Sequence, residues 1–499
     1  MIGSLPPNGA RPQPWWSVMA VLWLSACASA PPYPGPAVPA VNQYTLAQMS
    51  GATESADVPF GQAQNLVNGA TDAAWWKALR APALDALIDD AWRANPTLAA
   101  AQAVLTQARE LQAAQEGAAL WPQAELGVGA QRQQVSPSAQ GLPGDTREYS
   151  LYNASVGVRY RFDLGGGTDS SLRAAGARAE QRQHEEFAAR HALAAQLVTA
   201  AIARAGWAGQ IEAQTDQVNT QLELLRLTEA RARWGQARPE ELGALQAQTE
   251  SMQAGLAQLR KQLRQSEHLL AVLAGRVPAQ GVPAFTLADF VLPERLPVAV
   301  PAEWVRRRPD ILAAEAGMRA AHAEWAVAMA RRYPQINLSA NLGSQALTTS
   351  ALFGGAAAVW SVVGQLSQPL FNAGLPAEQR AAQAAFDVAA AQYQRVVLDA
   401  LRGVADALSA VEHDAQVLSA LARGVQASEA QRRVVDSQYR AGVSNWAQRL
   451  LADQQWQQAR QGLMNAQVQR LNSTVALSAA LLGEPPTQTV GAADPTASP

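Results

Sequence analysis

The chain has 499 residues, with 39 basic and 41 acidic side chains and a net charge of −2. That balance excludes the electrostatic footprint of a nucleic-acid-binding protein. Charged residues are only 16% of the chain, below the roughly 25% usual in soluble domains, and much of the 48% hydrophobic share is alanine.

The N-terminus carries a short apolar run, WWSVMAVLWL (15–24). It is too short for a spanning helix, which needs about 20 residues, and reads as a secretory signal. It closes on Leu24-Ser25-Ala26-Cys27, which resembles the bacterial lipobox. The resemblance implies a signal peptide over 1–26, cleavage before Cys27 and lipid on its thiol. Ala28, not Asp, follows, which by resemblance to sorted lipoproteins implies the outer membrane. Cys27 is the sole cysteine, so its acylation leaves no disulfide. The proline-rich SAPPYPGPAVPAV (29–41) favours an extended tether, taken as 27–74.

Beyond the tether the chain repeats itself. WPQAELGVG (121–129) matches YPQINLSAN (333–341), FDLGGG (162–167) matches LFNAGL (370–375), and ARWGQA (232–237) matches YRAGVS (439–444). The spacing is about 210 residues throughout, so one unit is duplicated. The first repeat spans 75–275 and the second 301–483. A proline-rich linker, 276–300, joins them, and 484–499 reads as a disordered tail.

Each repeat predicts the same order. A short helix leads to a break at Asn95-Pro96 or Arg308-Pro309, and a second helix runs to Trp121 or Tyr333. Two strands follow, then a very long helix, a turn at Gly235 or Gly442, and a returning helix. No proline falls between Asp169 and Trp234, or between Ala377 and Arg440. Such helices span roughly 100 Å at about 1.5 Å per residue, a length suited to a coiled coil or tube. In the returning helix Leu242, Leu245, Thr249, Met252, Leu256, Leu259 and Leu263 form a heptad seam.

The strands are 124–131, 149–163, 336–345 and 359–367. They alternate apolar and polar residues with period two. Tyr152, Val156, Val158, Tyr160, Phe162, Leu338, Leu342, Trp360, Val362 and Leu366 fall on one face as candidates to meet lipid. Asn153, Ser155, Arg159, Arg161, Asn337, Asn341 and Gln365 fall on the other as candidates to line a lumen. Each strand is close to the 9–11 residues that cross a bilayer at a tilt, and Tyr149, Tyr152, Tyr160, Phe162 and Trp360 are candidate girdle aromatics. Two rivals are a half-buried soluble sheet and a transmembrane helix over 351–366. Gly354-Gly355, Pro369 and the upstream alternation oppose the helix. Four strands cannot close a membrane barrel, and open edges are not tolerated in lipid. The chain is therefore expected to oligomerise, and three copies supply twelve strands.

In that order, the lipobox, WPQ/YPQ, FDLGGG, QPLFNAG (368–374) and QYRAGVSNWAQRLLADQQ (438–455) resemble the outer-membrane factor family. The resemblance is to its lipoprotein branch, with OprM-type and NodT-type members and a TolC-type fold. It covers about Trp75 to Gly483. It implies a mixed α and β membrane protein: a trimeric twelve-stranded transmembrane β-barrel continuous with a twelve-helix periplasmic α-barrel. It further implies a passive exit duct in the outer membrane of a Gram-negative bacterium, serving an inner-membrane pump through a periplasmic adaptor. The helix-turn tips, with Gly235, Arg238, Gly442, Ser444 and Asn445, are the expected adaptor-docking points. Glu240, Glu241 and Asp453 are the expected aperture carboxylates, with Arg440 or Arg449 as gate contacts. Ser444 stands where the family often has an acidic residue, and Asp453 is displaced by about two positions from the usual acidic site.

No nucleophile constellation is present. His184, His191, His268, His322 and His413 lack metal-ligand spacing and read as surface or interface positions, so no metal or cofactor is expected beyond the lipid on Cys27. FDLGGG lacks the GK[ST] ending of a phosphate loop and reads as a strand-to-helix bend. Two other functions share part of this pattern: a structural coiled-coil lipoprotein, which needs no strand alternation, and a type I secretion duct.

Overall fold

Prolines, which lack an N–H and fix φ for a first helical turn, open most of the shorter helices. These are α1 (Pro82–Ala94), α2 (Pro96–Leu120), α4 (Pro239–Leu273), α5 (Pro301–Trp304) and α6 (Pro309–Ala330). The computed structural model describes residues 32–36, 43–46, 50–136, 143, 145–299 and 301–484, without the side chains of 302 and 303. The signal segment, Cys27 and residues 485–499 lie outside them.

Three further helices complete the set: α3 (Gly167–Arg233), α7 (Leu375–Arg440) and α8 (Trp446–Ala480). The strands are β1 (Asn65–Asn68), β2 (Gln123–Val135), β3 (Arg147–Phe162), β4 (Arg295–Val298), β5 (Gln335–Ala346) and β6 (Ala358–Ser367). The chain divides into two units.

The first unit includes 108–179 and 316–390. It holds an antiparallel sheet in the order β2-β3-β5-β6, so the repeats meet where β3 pairs β5. Residues 355–357 form a 3-10 turn and 358–367 are β6, so the 351–366 helix does not form. Among the described residues no helix is long and apolar enough to cross a membrane. His322 is buried rather than at the surface, against Tyr33, Trp325 and Phe386.

The second unit includes 37–107, 180–315 and the residues from 391 on. Within it the helices lie in the order α4-α3-α8-α7. Gln214 on α3 reaches the Met252 carbonyl on α4, and Gln461 on α8 reaches Gln214. Arg470 on α8 donates to the Val411 carbonyl on α7. Gly206 lets α3 and α8 approach closely, since a Cβ there would sit 2.7 Å from Val468 Cγ2. The seam residues Leu245, Thr249 and Leu256 are buried.

Duplication is visible in the contacts. Asn95 Nδ2 donates to the Leu273 carbonyl at the end of α4, and Arg308 Nη1 donates to the Ala480 carbonyl at the end of α8. Gly275 packs against Ala94 and Gly483 against Arg307. Each repeat thus closes its returning helix onto its own proline break.

Two segments differ from their sequence reading. Residues 50–74 are not a free tether. β1 pairs in parallel with β4, Gln64 is buried and bonded to the Pro293 carbonyl and Thr474, and Phe60 joins the core. Nor is 276–300 a plain linker. Phe285, Phe290 and Leu292 are buried with Trp75, Trp76 and Leu87. Both are fixed because the core has apolar sites that only these flanking residues fill. Glu484, assigned to the tail, is also held, 2.8 Å from His184 Nδ1. Burial opposes protonation of His184, but hydrogen bonds and charge from Glu180 and Glu484 outweigh it and raise its pKa to about 9.

Arg470 is fully buried and bonds the strap through Thr53 Oγ1 at 2.7 Å. Arg470→Ala leaves that hydroxyl and the Val411 carbonyl without their cation. It should cost roughly 2–4 kcal/mol and expose 50–68 to limited proteolysis. His191, buried beside Trp76, Trp92 and Phe187, is held near pKa 4 by desolvation and by Arg190. Below about pH 6.5 the unfolded chain takes up a proton that the folded chain refuses. Stability should fall by up to about 1.4 kcal/mol per pH unit from 6.5 towards 4, and His191→Phe should flatten that slope in denaturant titrations.

Candidate functional site: the two-faced sheet and the helix tips

Residues directly paired across antiparallel strands point to the same face. The register puts Leu126, Val156, Leu342 and Trp360 in one row, and Ala124, Val158, Ala340 and Val362 in the next. Tyr160 with Leu338, then Phe162 with Ile336 and Leu366, continue that face, and Tyr152 shares it. All ten candidate lipid-facing residues therefore share one surface.

The opposite surface gathers all seven polar candidates. Arg161, Asn337 and Gln365 form one row, and Arg159 lies between Gln123 and Ser339. Ser155 lies between Gly127 and Gly343, Asn153 between Gly129 and Gln345, and Asn341 beside Gly157 and Ser361. Tyr149 departs from its girdle assignment. Its odd position puts it on this polar face, hydrogen-bonded to Gln133.

The apolar band runs on β3 from Tyr152 to Phe162, about 37 Å at about 3.4 Å per residue. Tilted by about 40°, it stands about 28 Å tall, close to the roughly 25 Å of an outer-membrane band. An Arg132–Glu148 ion pair of 3.0 Å begins on the same face just beyond Tyr152. A soluble half-buried sheet would cover this band, yet Leu126, Val128 and Trp360 are 75%, 76% and 77% exposed. At the other end Asp163 caps α3. Its Oδ1 accepts from the Gly167 N–H at 2.9 Å and its Oδ2 from the Asp169 N–H at 3.0 Å, while Gly166 takes φ +69°. FDLGGG is that bend.

Both helix tips end alike. Gly235 (φ +70°) donates to the Ala232 carbonyl and Gln236 to that of Arg231. Gly442 (φ +72°) donates to the Tyr439 carbonyl and Val443 to that of Gln438. These are paired Schellman stops. Asn445 then caps α8, accepting from Gln448 N–H at 2.9 Å, and Ser444 bonds Gln448. Arg238, extended, leads into Pro239 without a side-chain cap. Glu240 and Glu241 occupy the first turn of α4, and Glu241 lies 3.7 Å from Arg231.

Asp453 contacts neither Arg440 nor Arg449; it lies 3.6 Å from Arg432. Both expected arginines hold Asp436 instead, Arg440 at 2.7 Å and Arg449 at 2.9 Å. Arg449 also stacks over Tyr439 and Trp446, and Arg432 over Trp456. Asp436, Arg432 and Arg231 escaped the sequence reading. The signal was there: 436 with 449 and 432 with 453 are both symmetric about the turn at 442–443, and Asp436 precedes Arg440 by one helical turn.

The sequence profile of the outer membrane efflux protein family matches residues 87–276 and 300–483. The chain belongs to that family. It is 31% identical over 429 residues to the pyoverdine export outer membrane protein OpmQ of Pseudomonas putida, covering 83% of this chain and 88% of that one. It is 29% identical to the antibiotic efflux pump outer membrane protein ArpC of Pseudomonas putida, covering 92% and 93%. Its fold matches the outer-membrane channel OprN with TM-score 0.78 and 26% identity, over 88% and 99% of the two chains. The open state of the MtrE outer membrane channel of Neisseria gonorrhoeae gives TM-score 0.78 and 25% identity, over 92% and 98%. The protein is thus an outer-membrane exit duct of an efflux system, with the mixed α and β fold of those channels. The family's work is export, not catalysis.

Asp436→Asn removes the anion shared by two arginines. Hydrogen exchange of amides 437–449 should quicken by about fivefold, since a partly exposed pair contributes about 1 kcal/mol. Glu240→Gln should leave that segment unchanged.

Proposed function

We propose that three copies of the chain close a twelve-stranded barrel in the outer membrane and a twelve-helix tunnel below it. Cargo expelled by an inner-membrane pump then crosses passively. The observation that carries this is the complete separation of apolar and polar side chains on the four-stranded sheet, with both outer edges open. Lipid on one side and water on the other is the solvent pair that such a sheet fits. OprN and MtrE, described as outer-membrane channels, support the same reading.

The homotrimer carries a lipid on Cys27 that adds an acyl anchor to the barrel. A periplasmic adaptor docks at the tips around Gly235, Arg238, Gly442, Ser444 and Asn445. Glu240, Glu241 and Asp453, with Arg440 and Arg449, border the aperture, and the Asp436 and Arg432 pairs brace it. No cofactor, metal or nucleic acid takes part.

Purified mature protein in detergent should scatter light as three copies, migrate differently on gels before and after heating, and conduct ions in planar bilayers. A folded monomer that never conducts overturns the proposal. Cys27→Ser should abolish labelling with radioactive palmitate and leave the trimer assembled.

A further inference from the structure

We infer that the strand-lined part of the duct prefers anions, and that Arg161 sets this preference; the inference rests on the trimeric duct proposed above. A cavity of about 750 Å³ lies where the strands meet the helix ends, with Arg159, Arg161, Asp163, Arg331 and Asn337 in its lining. Four of those five residues are ionisable, and three have their charge answered locally. Arg159 is paired with Glu125, and Arg331 lies 2.9 Å from Glu378. Asp163 spends both carboxylate oxygens on backbone N–H groups at the start of α3.

Arg161 differs. Among the described residues no carboxylate forms an ion pair with it, and its side chain is exposed. Its row partners are Asn337 and Gln365, which are neutral. On the polar face between Asn153 and Arg161 the charges are Glu125, Arg159 and Arg161, which leaves one net positive charge per chain. Threefold symmetry makes this a ring of three cations at one height in a low-dielectric wall. Rings of arginine favour anions in pores, and such walls focus the field. The cargo class that fits is a small or medium-sized molecule carrying carboxylate, phosphate or sulfonate groups.

The test reads local potential without depending on the state of the aperture. Asn337→Cys is placed in the row of Arg161, and Leu338→Cys on the opposite face. Each is reacted with a negatively and a positively charged methanethiosulfonate of similar size, in proteoliposomes. The parent chain, whose one cysteine is Cys27, sets the background.

Asn337→Cys should react and Leu338→Cys should be shielded. The anionic reagent should be favoured at 337 by about sevenfold over its ratio with a free thiol, which corresponds to a local potential of about one kT. Arg161→Gln should remove that factor, and Arg161→Lys should keep it while reporting that the row still folds. A ratio at Asn337→Cys that Arg161→Gln leaves unchanged overturns the inference and leaves the duct standing. Shielding at 337 with reaction at 338 overturns the assignment of faces, and the inference with it.

Discussion

The unpaired edges of the four-stranded sheet govern the rest of the molecule. In the order β2-β3-β5-β6 the outer sides of β2 and β6 have no neighbour, so each presents a row of backbone N–H and C=O groups. Soluble proteins blunt such edges with lysine, proline or bulges. β6, AVWSVVGQLS, has none of these defences and no charge at all. In hydrocarbon each unsatisfied group costs several kcal/mol. An edge so undefended is suited to being paired, and symmetry supplies the pair: β6 of one copy against β2 of the next.

Duplication answers the same constraint at the level of the chain. One repeat gives two strands and one helical hairpin, which bury too little to stand alone. Joined, the repeats pair β3 with β5 and lay α3 beside α8. The flanking segments then lock the second unit, because β1 and β4 come from outside the strand-and-hairpin repeat and bond to each other. The buried Arg470 guanidinium ties that strap to α7 and α8 together. Its pKa falls to about 10 through desolvation, with Asp414 opposing, so it stays charged at neutral pH and its hydrogen bonds keep their strength.

Local signals made the duplicated elements legible. Period-two alternation located all four membrane-type strands, and parity alone sorted the ten apolar and seven polar candidates onto separate faces. Tyr149 went astray because it was chosen as an aromatic and not by its parity. Features that depend on distant partners left no such trace. The pairing of β1 with β4 joins residues about 230 apart, and neither four-residue strand is long enough to show a period. His191 looked like a surface residue because its helix is polar overall, and only the packing of Trp76 and Trp92 against it reveals the burial. At the tips the ionic residues were visible but their partners were not, because pairing depends on hairpin register.

That register creates an asymmetry between the two hairpins. The α7–α8 tip is braced by two cross-helix ion pairs, Asp436 with Arg449 and Arg432 with Asp453, and by arginine stacking on Trp446 and Trp456. The α3–α4 tip has one pair, Arg231 with Glu241, at 3.7 Å. Exposed pairs contribute only about 0.2–1 kcal/mol each, but stacking on an aromatic face adds a comparable amount and orders the guanidinium. The second hairpin therefore resists splaying of its own two helices more than the first. A tip that must shift while its partner keeps its shape is served by that division: α7 and α8 move as one braced pair, and the adjustment falls on the α3–α4 turn around Gly235, where the left-handed glycine and the uncapped Arg238 already leave the backbone with fewer bonds to break.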